Sequence, residues 1–222
     1  MGVDGCRGGW LACVLDETTV RWDHVAAVAD VRKLLERDVD AVAIDIPIGL
    51  PEDGVRACDV EARHQLGRRG VSVFAAPVRS VLGCASYAEA RRVLAARGGA
   101  SMSAQAFGIV RAVAAVDAAL TPADESRVVE AHPEVAFWAM SDGEPLDPKK
   151  TARGAGQRLA RLQASLGNPV KALADVPSGV PLDDALDALA CVWVARRWAA
   201  GSASALGNGQ RDARGLPMRI VV

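Results

Sequence analysis

The chain has 222 residues, half of them apolar, and a formal net charge of −1 from 26 basic and 27 acidic residues. These values predict a single globular α/β domain over residues 1–222, and any basic surface must be local because the overall charge is balanced. Five scattered cysteines without a CxxC pair argue against a zinc site and against a disulfide framework. With no signal-peptide pattern and no long apolar run, we expect a reduced, cytoplasmic protein that does not enter a membrane.

The first stretch, residues 1–16, contains two apolar runs joined by a turn rich in glycine. It predicts a β-hairpin at the centre of a sheet, with Asp4 on the first strand. Burying a carboxylate is unfavourable unless a partner or a metal ion compensates. Asp4 is therefore either a functional residue or a turn residue that caps backbone N–H groups. A third strand over 18–22 and a helix over 28–37 are predicted next.

The run over residues 41–48 is almost continuously apolar, which is typical of a parallel strand buried on both faces. Asp45 is its one polar interruption, and Pro47 and Gly49 end it. Ligands of α/β sheets bind at the carboxyl ends of the strands. We therefore expect Asp4 and Asp45 to meet at that edge, the alternative being two unrelated turn carboxylates.

The pattern of residues 52–125 predicts a set of helices that are added to the single domain and do not form a second one. The predicted elements are helices over 55–66, 86–97 (stopped by Gly98 and Gly99) and 104–120 (capped by Ser101 or Ser103), and an exposed loop over 67–79. This loop carries Arg68, Arg69 and Arg79 around an apolar pair. Such arginines either bind phosphate groups or are ordinary solvated side chains.

A short strand is predicted over residues 127–131, followed by the tripeptide HPE. Glu130, His132 and Glu134 alternate along the sequence and would share one face of an extended chain. Such a group can bind a metal ion or a substrate, or it can make hydrogen bonds at a strand end.

The C-terminal third begins with a loop over 143–156 that carries Lys149 and Lys150. A helix over 157–166, a long helix over 183–198 with Asp183 as its N-cap, and a last strand over 216–222 are predicted next. Asp184 and Asp187 are three residues apart and so lie on one face of the long helix. The helix dipole explains the aspartates of the first turn, Asp183 and Asp184. It explains Asp187 poorly, because Asp187 lies one turn further into the helix.

The acidic residues form one set in this interpretation: Asp4, Asp45, Asp184 and Asp187, with Glu130 as a fifth candidate. Clustered carboxylates raise one another's pKa unless cations neutralise them. Oxygen ligands of this kind select Mg²⁺ or Mn²⁺. Two such ions about 4 Å apart activate a water molecule and stabilise the leaving oxygen of a phosphodiester.

Short motifs recur in order along nearly the whole chain: GVDGCRGGW (2–10), IDIPIGLP (44–51), CDVEAR (58–63), VSVFAAPVR (71–79), EAHPEVAF (130–137), KKT (149–151), DDALDALA (183–190) and GLPMRI (215–220). With them the chain resembles the RNase H-like superfamily, and within it an uncharacterised prokaryotic family of predicted RNase H-fold nucleases, domain of unknown function 429. DDALDALA also resembles the helix that carries two catalytic aspartates in Holliday-junction resolvases, which do not share the HPE strand end.

The resemblance implies a mixed five-stranded sheet flanked by helices, with a helical insertion between strands four and five. It also implies that the four aspartates are metal ligands. The first hypothesis is thus a divalent-metal-dependent nuclease or phosphodiesterase, with Glu130 and His132 as further catalytic candidates. Its substrate would be nucleic acid or a phosphorylated small molecule, bound by residues of two basic loops: Arg68, Arg69, Arg79, Lys149 and Lys150.

Two other hypotheses remain open. Sugar kinases and actin-like ATPases share this fold, and in them a glycine-rich hairpin binds phosphate. Here Gly5, Gly8 and Gly9 would bind phosphate and Asp45 would act as the base. In the third hypothesis the protein binds a partner without catalysis, and the carboxylates only cap and bridge.

Overall fold

The computed structural model describes residues 1–17, 19–98 and 102–222 of the chain. The strands in these residues are β1 (Gly2–Cys6), β2 (Gly9–Asp16), β3 (Thr19–Val25), β4 (Val42–Ile44), β5 (Val128–Glu130), β6 (Ala205–Leu206) and β7 (Ile220–Val221). The first five strands form one mixed sheet in the order β3-β2-β1-β4-β5, and β6 pairs with β7.

The α-helices of the described residues flank this sheet. They are α1 (Arg32–Leu35), α2 (Ala57–Leu66), α3 (Tyr87–Ala96), α4 (Ala104–Gly108), α5 (Val110–Ala119), α6 (Pro133–Met140), α7 (Ala152–Leu166), α8 (Pro169–Ala174) and α9 (Leu182–Ala199). Short 3₁₀ helices span Val28–Val31, Gly67–Ser72, Arg79–Val81 and Pro122–Ser126. The predicted α/β class, with a five-stranded mixed sheet and flanking helices, is confirmed.

The predicted hairpin lies at the centre of the sheet. β1 pairs antiparallel with β2, where Asp4 stands opposite Leu11, and it pairs parallel with β4 on its other side. β2 is buried on both faces, because Leu11 and Cys13 pack in one hydrophobic cluster while Trp10 and Ala12 pack in another. This two-sided burial places β1 and β2 in the middle of three layers.

Helix α9 lies directly on β1. A Cβ atom on Gly2 would stand 2.3 Å from the carbonyl oxygen of Ala188 and 2.4 Å from the backbone nitrogen of Val192. Only glycine leaves room for the helix backbone at this position. The close approach places Asp187, the residue before Ala188, near Asp4.

The parallel strand β4 is shorter than the predicted strand over 41–48. It ends at Ile44, and the backbone N–H of Asp45 still donates to the carbonyl of Val3 (2.9 Å). The apolar residues after Ile44 are buried without forming a strand. Two of their backbone N–H groups donate to side-chain carboxylates and not to the carbonyl groups of a neighbouring strand. The Glu130 carboxylate accepts from the N–H of Ile48 (2.7 Å), and the Asp212 carboxylate accepts from the N–H of Leu50 (3.0 Å).

Two predicted helices are interrupted. The helix predicted over 28–37 consists of a 3₁₀ turn and the four-residue α1, and no side chain caps its first residue. The helix predicted over 104–120 divides into α4 and α5, because Gly108 is a weak helix former. The predicted loop over 67–79 is less exposed than expected, since Val73 and Ala76 are buried.

Some predicted positions lie outside the described residues. These are Thr18 in the third strand, Gly99 as a helix stop and Ser101 as a helix cap. Ser103, the alternative cap, accepts a hydrogen bond from the N–H of Ala106 (3.1 Å).

The C-terminal third follows the prediction with shifted boundaries. Helix α7 begins at Ala152 and not at residue 157, because the Thr151 side chain caps it by accepting from the N–H of Gly154 (3.0 Å). Helix α9 begins at Leu182, so its N-cap is Pro181 and not the predicted Asp183. The last strand is β7, and α8 was not predicted. Among the described residues, none of the helices has the length and apolar character that a membrane span requires.

We predict that Gly2→Ala destabilises the protein by about 1–3 kcal/mol, because the new methyl group must push α9 away from β1. The free energy of unfolding, measured by urea denaturation, checks this. Gly5→Ala is the matched control on the same strand, since a Cβ at Gly5 meets nothing within 4 Å. Equal stabilities of the two variants would contradict the close contact.

Candidate active site

A cleft of about 1000 Å³ opens where β1 and β4 end. Asp4, Asp45 and Asp187 line it, together with the glycine-rich turn between β1 and β2. Helix α5 and the start of α6 contribute further lining residues. The cleft thus lies at the carboxyl ends of two neighbouring parallel strands, where α/β sheets bind their ligands.

The strand-borne aspartates meet in this cleft as predicted. Asp4 is 6% exposed, and burial, followed by the charges of Asp45, Asp187 and Asp184, raises its pKa well above the usual value. Burial also raises the pKa of Asp45 to about 7, although Lys149 and a hydrogen bond with Asp4 oppose the rise. Two carboxyl groups this close share a proton at neutral pH unless a cation replaces it.

Asp187 brings a third carboxylate from α9. It is 4% exposed, its Oδ2 accepts a hydrogen bond from the ammonium group of Lys149, and its Oδ1 has no hydrogen-bond partner among the described residues. Burial raises the pKa of Asp187 to about 7, against the effect of Lys149. A buried carboxylate oxygen without a partner is rare, and a bound cation would satisfy it.

Asp184 lies one turn earlier in α9 and is only half-buried. Its charge is close enough to raise the pKa of Asp4, but its side chain does not line the cleft. The structure therefore brings three of the four predicted aspartates into the cleft and leaves Asp184 beside it.

Glu130 is held in a buried ion-pair network. Both of its oxygens accept hydrogen bonds from Arg56 (2.6 and 2.7 Å), which also binds Asp59 (2.6 Å). The N–H of Ile48 donates to the same carboxylate. Glu130 lines the cleft, but its oxygens are taken up by these contacts, so it orders the loop after β4.

Glu134 does not share a strand face with Glu130, because Pro133 begins α6 and places Glu134 in a helical turn. Its carboxylate binds the buried Arg158 (2.7 and 2.8 Å) and Arg69 (3.1 Å). This pairing anchors α7 and the 3₁₀ helix at Gly67–Ser72 to the start of α6.

His132 is the N-cap residue of α6 and lines the cleft. Its Nδ1 atom is buried and has no hydrogen-bond partner among the described residues. Burial lowers the pKa of His132, although the backbone of Ser72 and the charges of Glu134, Asp187 and Glu130 oppose this. The imidazole is therefore neutral at pH 7 and able to accept a proton.

The predicted phosphate-binding residues separate into two groups. Arg69 and Lys149 line the cleft, whereas Arg68, Arg79 and Lys150 do not. Arg79 is a structural cross-link, because its guanidinium binds Asp117 (2.9 Å) and Asp212 (2.5 Å). Arg68 is exposed, and Lys150 is exposed at 3.9 Å from Asp183.

Several residues that line the cleft were not predicted as site residues from the sequence, among them Arg111 and Phe74. Arg111 in α5 lines the cleft, but a lone arginine in an alanine-rich helix gives no signal of a site. Phe74 also lines the cleft and is 41% exposed. It was visible as an aromatic residue between arginines, although that pattern did not show which way the ring would face.

The carboxylate oxygens of the three cleft aspartates are chemically suited to bind a hard divalent cation. Among the described residues, no group of three or more His, Cys, Asp or Glu side chains is arranged as a ready-made metal site. However, Asp4, Asp45 and Asp187 offer only oxygen atoms, and Oδ1 of Asp187 is unpartnered. Oxygen donors of this kind suit Mg²⁺ or Mn²⁺.

We predict that the metal-free protein loses stability as the pH rises from about 4 to about 7. The folded-state pKa of Asp45 lies at about 7 against a usual 3.8, so the folded protein keeps a proton that the unfolded chain releases. The loss should be smaller for Asp45→Asn. The measurement is urea unfolding in EDTA across this range, with Asp38→Asn, an exposed carboxylate, as the control. Parallel curves for wild type and Asp45→Asn would contradict the raised pKa.

One family model matches the chain. It is described as a protein of unknown function, DUF429, and it matches residues 2–211. No curated protein and no solved structure matches. The match spans almost every residue that builds the sheet and the cleft, including all of α9. The chain therefore belongs to the DUF429 family.

Proposed function

We propose that the protein is a divalent-metal-dependent nuclease or phosphodiesterase of RNase H-like fold. The observation that carries the proposal is the meeting of three carboxylates from β1, the end of β4 and α9 in one cleft. Burial first, and then the charges of neighbouring carboxylates, raise the pKa of each, and Lys149 opposes this only in part. Carboxyl groups in a cleft whose pKa values are strongly raised are typical of functional sites.

Asp4, Asp45 and Asp187 would hold Mg²⁺ or Mn²⁺. When bound, such ions polarise the phosphoryl oxygens, activate a water molecule and stabilise the leaving oxygen. Asp184 lies beside the cleft, where it adds negative charge without lining it.

The other polar residues of the cleft have roles that follow from their surroundings. Lys149 donates a hydrogen bond to Asp187 and is attracted by the negative charge of Asp4. Its ammonium group therefore stays positively charged among the carboxylates. His132 is neutral, and its buried Nδ1 has no hydrogen-bond partner among the described residues, so it would serve as the proton acceptor of the cleft. Arg69 is held by Glu134 and adds positive charge to the wall.

We predict that Asp4→Asn, Asp45→Asn and Asp187→Asn each weaken Mn²⁺ or Mg²⁺ binding by about tenfold or more, because each removes a charged ligand (about 1.4 kcal/mol per factor of ten). Asp184→Asn should have a smaller effect. Isothermal titration calorimetry measures the affinity, and thermal unfolding in the absence of metal shows that each variant is folded. Asp38→Asn is the control. Unchanged affinity in all three cleft variants would contradict the metal site and, with it, the metal-dependent nuclease or phosphodiesterase.

A phosphoryl-transfer enzyme of the sugar-kinase type is the second candidate. One observation favours it: Gly5, Gly8 and Gly9 line the cleft, and Gly8 has a positive φ of 83°, so the turn exposes backbone to a ligand.

The two candidates are separated by activity. We predict Mn²⁺-dependent cleavage of labelled nucleic acid or bis(p-nitrophenyl) phosphate without added nucleotide, and loss of that cleavage in Asp45→Asn. Incubation with ATP and a panel of sugars is the parallel assay. ATP-dependent sugar phosphorylation without phosphodiester cleavage would favour the second candidate and contradict the first.

A further inference from the structure

We infer that Arg111 binds the phosphate group of the substrate, and that this substrate is a small phosphate ester and not a nucleic-acid polymer. The inference rests on the proposed function and narrows it from a nuclease or phosphodiesterase to a phosphodiesterase of small substrates, because it assigns the substrate class to the same cleft. It depends on the carboxylate site only for catalysis, since phosphate binding at Arg111 can be measured without a metal ion.

The basic residues of the cleft wall differ in whether a carboxylate is already bound to their side chain. They are Arg56, Arg69, Arg111 and Lys149. Arg56 is bound by Glu130 and Asp59, Arg69 by Glu134, and Lys149 by Asp187. Arg111 makes no ion pair or side-chain hydrogen bond with any residue that the structure describes. An anion entering the cleft therefore meets one lining guanidinium, that of Arg111, to which no carboxylate of the described residues is bound.

The position of Arg111 within α5 favours a ligand over simple solvation. Ile109, Ala112 and Ala115 line the same cleft, so the face of α5 that carries Arg111 is turned toward it. The neighbouring alanines are short, which leaves room in front of the helix. Arg111 is exposed, so its planar guanidinium can bind two phosphate oxygens at once.

The size and surroundings of the cleft point to a small ligand. Its volume of about 1000 Å³ lies at the upper end of small-molecule pockets. A polymer would need further phosphate contacts beyond the cleft. However, Arg79 is bound to two aspartates, and Lys150 lies 3.9 Å from Asp183. Among the described residues of the predicted basic loops outside the cleft, the exposed Arg68 alone has no ion pair, and one such cation does not form a continuous path.

The test is calorimetric binding of inorganic phosphate, of a nucleoside monophosphate and of a single-stranded oligonucleotide in EDTA. Wild type, Arg111→Gln and Arg111→Lys are compared. Arg92→Gln is the matched control, because Arg92 is an exposed arginine on α3 that does not line the cleft. Mn²⁺ affinity of each variant is measured separately, and thermal unfolding shows that each is folded.

We expect Arg111→Gln to weaken binding of both small probes by about tenfold or more, which is the loss of a charged hydrogen-bonding pair. Arg111→Lys should restore part of the affinity, and Arg92→Gln should bind like wild type. Wild-type affinity in Arg111→Gln, no binding of the small probes to wild type, or an oligonucleotide that binds far more tightly than the monophosphate would overturn the inference. Arg111-dependent phosphate binding in a protein that binds no Mn²⁺ would contradict the proposed function and support this inference.

Discussion

The contact between α9 and β1 determines where the chemistry of this protein lies. Because Gly2 has no side chain, the backbone of α9 rests against the central strand, and the carbonyl oxygen of Ala188 lies only 2.3 Å from the point that a Cβ atom would occupy. The preceding residue, Asp187, is thereby held beside Asp4, and the parallel pairing of β1 with β4 brings Asp45 to the same place. The parallel pair of strands β1 and β4, together with helix α9, thus brings together three carboxylates that are far apart in the sequence.

The buried acids of this region differ in how their charge is balanced. Glu130 and Asp59 share Arg56, and Glu134 is bound by Arg158, so these carboxylates are stabilised by charged hydrogen bonds. Asp4, Asp45 and Asp187 have only Lys149 as a cation. Burial raises the pKa of each of them, and it also raises the pKa of Glu130 to about 7, so the two groups differ in their bound cations and not in their pKa values. Removing carboxylates from water without full compensation is unfavourable. This imbalance distinguishes the candidate site from the structural ion pairs around it.

Sequence patterns predicted the sheet and the acidic set because both rest on local signals. The apolar runs around Asp4 and Asp45 predicted buried strands, and the spacing of Asp184 and Asp187 predicted one helix face. The pairing of Arg56 with Glu130 and of Arg79 with Asp212 could not be predicted, since these contacts join residues 74 and 133 positions apart. For the same reason Arg111 was missed: only the folded chain shows that its face of α5 lines the cleft.

The most direct test of the central claim is a crystal structure of the protein soaked in Mn²⁺, with the ion located by its anomalous scattering. We expect an anomalous peak in the cleft within direct coordination distance of oxygen atoms of Asp4, Asp45 and Asp187, because carboxylate oxygens bind hard cations directly. A fully soaked crystal with no peak in the cleft, or with Mn²⁺ bound only at surface carboxylates, would contradict this claim.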